Sequence, residues 1–404
     1  MNEGGFDKKM FLAALAISLV SIALIYSAKH YSPSAAERTL FIKQAIWVGL
    51  GLLMFWLVYK FPVHLHEILA YPYYVVGILS LITLIFVGSS VYGSTRWYNL
   101  GVFNVQPSEL MKIVLVIALA RFLAYPKRIT NNFIWVVVAV VMTLVPVILV
   151  LKQPDLGTSI ILLSILLAML FWSGLSIYMI ALLITPVMSL LLAYHWITWG
   201  LFFVSLIVAM FFLRPGRWLG SLIILGNLFA GIVTPILWHQ LHDYQKQRIM
   251  SFLNPNLDPL GAGYQLIQSK VAIGSGGFLG KGYLNSSQAR LDFLPMQHTD
   301  FVFSVLGEEF GLLGCLVILF LMGYLFYRGI MLARKSRNNF SSLLACGIIS
   351  ILMVQVFVNV GMTVGLLPVT GIPLPLMSYG GSAMLVNWCM LGLLLNINAH
   401  WQDY

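Results

Sequence analysis

The stretch LDFLPMQHTDFVFSVLGEEF, residues 291–310, gathers groups that could do chemistry where a polar segment gives way to an apolar run. His298, Thr299 and Asp300 stand together, and Glu308 and Glu309 follow about two helical turns later. The chain has 13 acidic residues among 404, so three carboxylates this close together at a membrane edge are out of proportion. Ionisable groups at membrane depth are costly and face a cavity or a partner. A carboxylate at Asp300 can act as a general base, or hold a divalent cation such as Mg2+ or Mn2+. The competing reading is a helix N-cap, where aspartate is favoured and suits the dipole.

A second constellation is Glu109 with Lys112 in GVFNVQPSELMKIVLV. Spaced i,i+3, they share a helix face and can pair. Pro107 and Ser108 are helix-start residues, so Glu109 alone would pass as a first-turn acid. Lys112 precedes the uncharged run Ile113–Ala120 and needs an anion: Glu109, a carboxylate of another span, or a substrate phosphate. The expectation is that Glu109 and Asp300 hold it together. HDYQKQR (242–248) and GAGYQLIQSKVAIGSGGFLGKG (261–282) add Arg248, Gln268, Lys270 and Lys281. These glycines resemble a phosphate cradle but match neither the P-loop nor the dinucleotide pattern, so no nucleotide site is indicated. Tyr264, Ile267 and Val271 at helical spacing, opposite Gln268 and Lys270, predict a short helix in the membrane interface. LLPVTGIPLPLMSYGGSA (366–383) interrupts two spans around Ser378, as a re-entrant turn or as a binding-site wall. KQPDLGTS (152–159), with Asp155, is similarly a helix cap or a cavity lining.

The elements that must position these residues follow from composition. Hydrophobic residues make up 60% and charged residues 9%, with a mean hydropathy of +0.91, more apolar surface than a soluble core absorbs. The net charge of +10 does not indicate nucleic acid, because the basic residues form no stripe; positive-inside topology accounts for them. Cys315, Cys346 and Cys389 fall inside apolar runs and read as core residues. Met10–Ala28, behind Lys8 and Lys9, is too long for a signal-peptide core and is expected to remain as the first span. Twelve spans are predicted: roughly 10–28, 42–59, 68–88, 107–124, 133–151, three within 156–213, then 219–239, 302–327, 342–366 and 378–398. A polar loop with Tyr92, Arg96 and Asn99 joins the third span to the fourth. With the N-terminus inside, inner short segments carry twelve Lys and Arg against five in the outer short loops. This is an all-α class: one polytopic helical membrane domain, 1–404, with both termini cytoplasmic and a long extracytoplasmic loop at about 240–300.

QPSELMK, KQPDLGTS, DPLGAGYQLIQSKVAIGSGG, LDFLPMQHTDFVFSVLGEEFG and GIPLPLMSYGGSA occur in the order found in the SEDS family of bacterial shape, elongation, division and sporulation proteins. The chain resembles that family over about 1–175 and 220–404, and its IQSKVAIGSGG and LDFLP wording is more similar to the RodA branch than to FtsW. The resemblance implies a peptidoglycan glycosyltransferase of the bacterial cytoplasmic (inner) membrane that polymerises lipid II outside, with a class B penicillin-binding transpeptidase as partner. The family's essential acid maps onto Asp300, and its QPSE-xx-K motif onto Glu109 and Lys112. With Arg96, Arg248, Gln268, Lys270, His298 and Ser378, these last two are the substrate-binding candidates. Family members usually have fewer spans; the excess helix pair falls at roughly 176–219 and is expected to be peripheral, since it holds no Asp, Glu or Lys. A transporter that flips a lipid-linked precursor, or a silent scaffold for the transpeptidase, are the rival readings.

Overall fold

The computed structural model describes residues 5–87, 89–91, 94–99, 104–125, 134–214, 216–240, 263–290, 293 and 296–399. Lipid offers the backbone no hydrogen bonds, so each long apolar run closes its own as a helix. The helices are α1 (Lys8–Lys29), α2 (Ala35–Arg38), α3 (Leu40–Lys60), α4 (Val63–Ile68), α5 (Ala70–Val87), α6 (Pro107–Leu123), α7 (Ile134–Leu151) and α8 (Leu156–Trp172). They continue as α9 (Ile177–Leu192), α10 (Trp196–Leu213), α11 (Arg217–Gln240), α12 (Tyr264–Gly276), α13 (Ser287–Arg290), α14 (Val302–Lys335), α15 (Asn339–Val364) and α16 (Gly381–Ala399). Twelve of the described helices coincide with the twelve expected spans; α2, α4, α12 and α13 are the extra short ones. Seven are long and apolar enough to cross a membrane and four more are shorter apolar helices, while α6 carries Glu109, Lys112 and Arg121 within its length. This is a multi-pass membrane protein.

The polar loop after α5 is instead a small antiparallel sheet, with β1 (Ser89–Val91), β2 (Ser94–Asn99) and β3 (Asn104–Val105) in the order β1-β2-β3. Val91, Thr95, Trp97 and Tyr98 are strand formers, a local signal that overrides the polar composition. The centre of the bundle is α6, α15 and α16, with α16 lying along α3 and α15 against α6, α8 and α14. The apolar stretches of α15 and α16 are each 72% buried, whereas that of α10 is 6% buried. Helix α10 rests on α9 and α11, and its Trp196, Phe211 and Phe212 are exposed, as lipid-facing residues are.

The Asn398 amide donates to the Gly5 carbonyl at 2.8 Å, so the start of the described chain and the end of α16 share one end of the bundle. At that end Arg328 donates to Asp7 (2.8 Å) and Arg121 pairs with Glu67. The other end carries the sheet, α12, the turn before α14 and residues 365–380 between α15 and α16.

Helix α14 is not continuous. Gly311 (φ +61°, ψ −162°) breaks it, leaving a short segment with Glu308 and Glu309 ahead of the long one. A break at membrane depth frees backbone groups that need partners. The glycine-rich stretch after α12 supplies them. Lys281 N–H donates to the Glu308 carbonyl (3.0 Å) and Gly282 N–H to that of Glu309 (2.9 Å), while Leu312 and Leu313 N–H donate to the Gly277 and Phe278 carbonyls (3.0 and 3.2 Å). Such close approach needs glycine, since a Cβ on Gly280 would stand 2.1 Å from the Glu309 carbonyl oxygen.

Candidate active site

Asp300 lies in the turn 296–301 that leads into α14. The helix is entered at Phe301 with no side-chain cap, so the N-cap reading of Asp300 does not hold. The chain arrives through Met296, held at φ +54°, a conformation costly for a side chain and kept only where the surroundings over-determine it. Those surroundings bind three successive carbonyls. Tyr379 N–H donates to His298 O (2.9 Å), Ser378 Oγ to Thr299 O (2.6 Å), and Asn359 Nδ2 to Asp300 O (2.9 Å). The half-buried Asp300 carboxylate faces Gly371, where a Cβ would come within 3.5 Å of Oδ2. Gly371 has φ +73°, so the wall beside the carboxylate is bare backbone by conformational need as well.

That wall, residues 370–372, also touches the amino end of α8, where a Cβ on Gly157 would stand 3.1 Å from Thr370 O. Asp155 caps α8 by accepting from Thr158 N (3.1 Å) and Thr158 Oγ1 (2.9 Å), which decides for the cap. The same carboxylate accepts from Gln106 Nε2 (3.1 Å) and Ser108 Oγ (3.4 Å), tying the start of α6 to α8. Gln106 N–H donates to Ser382 Oγ (3.2 Å), so the first turn of α16 joins them. Three helix amino ends, each partly positive, therefore meet at the end of the bundle that holds Asp300.

Glu109 and Lys112 pair within the first turns of α6, Oε2 to Nζ at 2.7 Å, and Lys112 is fully buried. Among the described residues the predicted i,i+3 ion pair is thus formed inside the protein with Glu109 alone. The expectation that Asp300 also holds Lys112 is corrected, since the carboxylate on the lysine's own helix is the partner of its ammonium. Arg96 donates from Nε to Gln153 O (3.1 Å) and from its terminal nitrogen to Pro154 O, bracing the entry to α8. Ser378 Oγ, besides holding Thr299, accepts from Leu374 N (2.8 Å), and both bonds shape the re-entrant segment. The His298 ring packs against Tyr379 at 5.6 Å. On α12, Gln268 is half-buried and Lys270 exposed, with the Lys270 chain crossing over Gly365. Arg248 lies outside the described residues.

Two further expectations are corrected. The short helix is present as α12, but its buried face is Leu266, Ser269, Ala272 and Gly276, with Val271 exposed. It packs on α14 and α15, and Ser269 Oγ bonds Ser304 Oγ (2.7 Å) and Thr363 O (2.6 Å), so protein contact decides its orientation. Lys281 is not a cation free for a substrate: its ammonium lies 2.6 Å from Glu308 Oε1. Glu308 also accepts from Ser287 N (2.9 Å), Ser287 Oγ (2.8 Å) and Ser286 Oγ, while Glu309 accepts from Ser27 Oγ of α1. Sequence reasoning missed Asn359, whose signal was a buried amide, one of two with Gln355, within the otherwise largely apolar run VQVFVNVGMTV.

Among the described residues no three His, Cys, Asp or Glu are grouped to hold a metal ion. Mg2+ is commonly held by one or two carboxylates plus substrate phosphates, and Asp300 fits that arrangement as a single protein ligand.

The family model described as "Cell cycle protein", for FtsW, RodA and SpoVE, matches residues 7–199 and 197–403. The chain is 38% identical to the peptidoglycan glycosyltransferase MrdB of Escherichia coli K12, covering 98% of this chain and 94% of that protein. It is 33% identical to the peptidoglycan glycosyltransferase RodA of Treponema pallidum, covering 98% of each. A solved peptidoglycan synthase complex that coordinates polymerization and crosslinking contains a chain of TM-score 0.73 and 30% identity, covering 99% of both. The rod shape determining protein RodA of Thermus thermophilus matches at TM-score 0.65 and 26% identity over 98% of both chains. With motifs, helix order and full-length matches in agreement, the chain belongs to the SEDS family of FtsW, RodA and SpoVE.

Proposed function

We propose that this protein is a peptidoglycan glycosyltransferase that polymerises lipid II at the outer face of the bacterial cytoplasmic (inner) membrane during cell elongation. The carrying observation is the Asp300 carboxylate, half-buried against Gly371 and mounted on a backbone bonded at three successive carbonyls. In this role Asp300 takes the proton of the attacking sugar hydroxyl as the new C–O bond forms and the lipid pyrophosphate leaves with the bonding electrons. The amino ends of α6, α8 and α16 favour the negative charge that the leaving group acquires. In the alternative role, Asp300 would hold a Mg2+ or Mn2+ ion in place of taking the proton, and that ion would supply charge neutralisation for the leaving pyrophosphate.

With the Asp300 end outside, both termini are cytoplasmic. This orientation is supported by Arg328, Arg334, Lys335 and Arg337 clustering at the end opposite the site, as the positive-inside rule requires. A class B penicillin-binding transpeptidase is the partner expected from the crosslinking function of the related synthase complex. The pair α9 and α10 (177–213) lies outside this machinery.

The test is polymerisation of lipid II by purified protein, with and without the transpeptidase, comparing the parent with Asp300→Asn. The amide keeps the size and loses the proton acceptor, so the rate should fall by about a hundred- to ten-thousand-fold. Parent protein that moves lipid II across vesicles without polymerising it would favour the transporter, and parent protein inert in both assays the scaffold. An Asp300→Asn rate within a few-fold of the parent refutes the catalytic role.

A further inference from the structure

Asn359 lies near the end of α15 and is fully buried. Its Nδ2 donates to Asp300 O at 2.9 Å and to Ile372 O at 2.8 Å. Both facing atoms are carbonyl oxygens, so donor chemistry fixes the amide orientation. Ser378, also buried, bridges in the same way, donating to Thr299 O (2.6 Å) while accepting from Leu374 N (2.8 Å). The peptide planes on both sides of Thr299 and of Asp300 are therefore each held by a donor from α15 or the re-entrant segment. Holding those planes holds the backbone dihedrals of Asp300, and with them the direction of its Cα–Cβ bond. Ile372 follows Gly371, the residue facing the carboxylate, so a single amide sets the distance between the acid and its wall.

We infer that Asn359 and Ser378 are positioning residues that hold the Asp300 carboxylate in its reacting orientation, acting through the backbone without touching substrate. The inference rests on the assignment of Asp300 as the reacting acid. A misplacement of about 1 Å costs about a hundredfold in rate, and binding of the substrate elsewhere is untouched by it. Loss of the clamp is therefore expected in kcat and not in KM.

The experiment measures kcat and KM for lipid II with the full-length protein in proteoliposomes, normalised to folded protein by size-exclusion chromatography. Asn359→Leu removes both donors, and Asn359→Asp points an oxygen at two carbonyls. Each should lower kcat by about 10- to 100-fold with KM within about twofold of the parent. Ser378→Ala, a milder change that keeps the segment's packing, should lower kcat by about three- to tenfold in the same pattern. If the Asn359 variants do not fold, Ser378→Ala decides on the same criterion. Parent-like kcat per folded molecule, or losses carried by KM, overturn the inference, while an inactive Asp300→Asn leaves the underlying assignment standing. An active Asp300→Asn removes that assignment and the inference with it.

Discussion

Replacing Lys281 by methionine separates bracing of the site from participation in it. Glu308 has no exposed surface, and Lys281, 30% exposed, places its ammonium 2.6 Å from Oε1. At an effective dielectric of about 20, that separation corresponds to about 6 kcal/mol of gross attraction. Two effects reduce the net value. Lys281 already keeps part of its hydration, and Glu308 retains hydroxyl and N–H donors from Ser286, Ser287 and Gln288 after the lysine is gone. Removing one partner of a buried pair costs about 3–5 kcal/mol, and the remaining donors bring this nearer about 2–4 kcal/mol. In thermal unfolding in a fixed detergent the midpoint should fall by several degrees. Lys281→Met with Glu308→Gln removes both charges, so the double variant should be more stable than the sum of the singles by about 1–3 kcal/mol. Polymerisation per folded molecule should stay within about threefold, because the pair holds the broken α14 against the glycine stretch and lies outside the reacting set. Additivity within about 0.5 kcal/mol refutes the ion pair as a stabilising contact. An unchanged midpoint with a large loss of rate makes Lys281 a substrate cation after all.

The other buried pair is expected to respond more strongly. Lys112→Met leaves Glu109 charged inside the bundle and should destabilise by about 3–5 kcal/mol, while adding Glu109→Met restores part of it; a parent-like midpoint for Lys112→Met would show the pair to be absent. Orientation is checked by cysteine labelling of a variant lacking Cys315, Cys346 and Cys389. Leu279→Cys, on the exposed tip after α12, should react from outside and Arg337→Cys from inside, and labelling of both from one face rejects the twelve-crossing topology.

What could be read from the chain and what could not divide along physical lines. Apolar runs bounded by charge or by breaks such as Ser173-Gly174 fixed the helices to within a few residues, because lipid permits nothing else. Charges were informative for a related reason. With so few of them, Asp300, Glu109, Lys112 and Glu308 each had to be compensated, and scarcity pointed to them. The small sheet was hidden by a polar composition shared by loops and exposed strands.

The break at Gly311 was hidden for a deeper reason. Apolar sequence continues on both sides of it, and its partners are backbone groups about thirty residues upstream, which have no side-chain signature. The glycines of 276–282 looked like a loop or an anion cradle until the second strand of contact was known. Asn359 and Ser378 were obscure in yet another way. Neutral amides and hydroxyls are common in membrane helices, where they serve ordinary packing, so their presence alone does not separate a clamp from a contact. Only the position of their acceptors does so. Those acceptors are the carbonyls of Thr299 and Asp300, which places the chemically silent residues directly behind a carboxylate whose charge had already given it away.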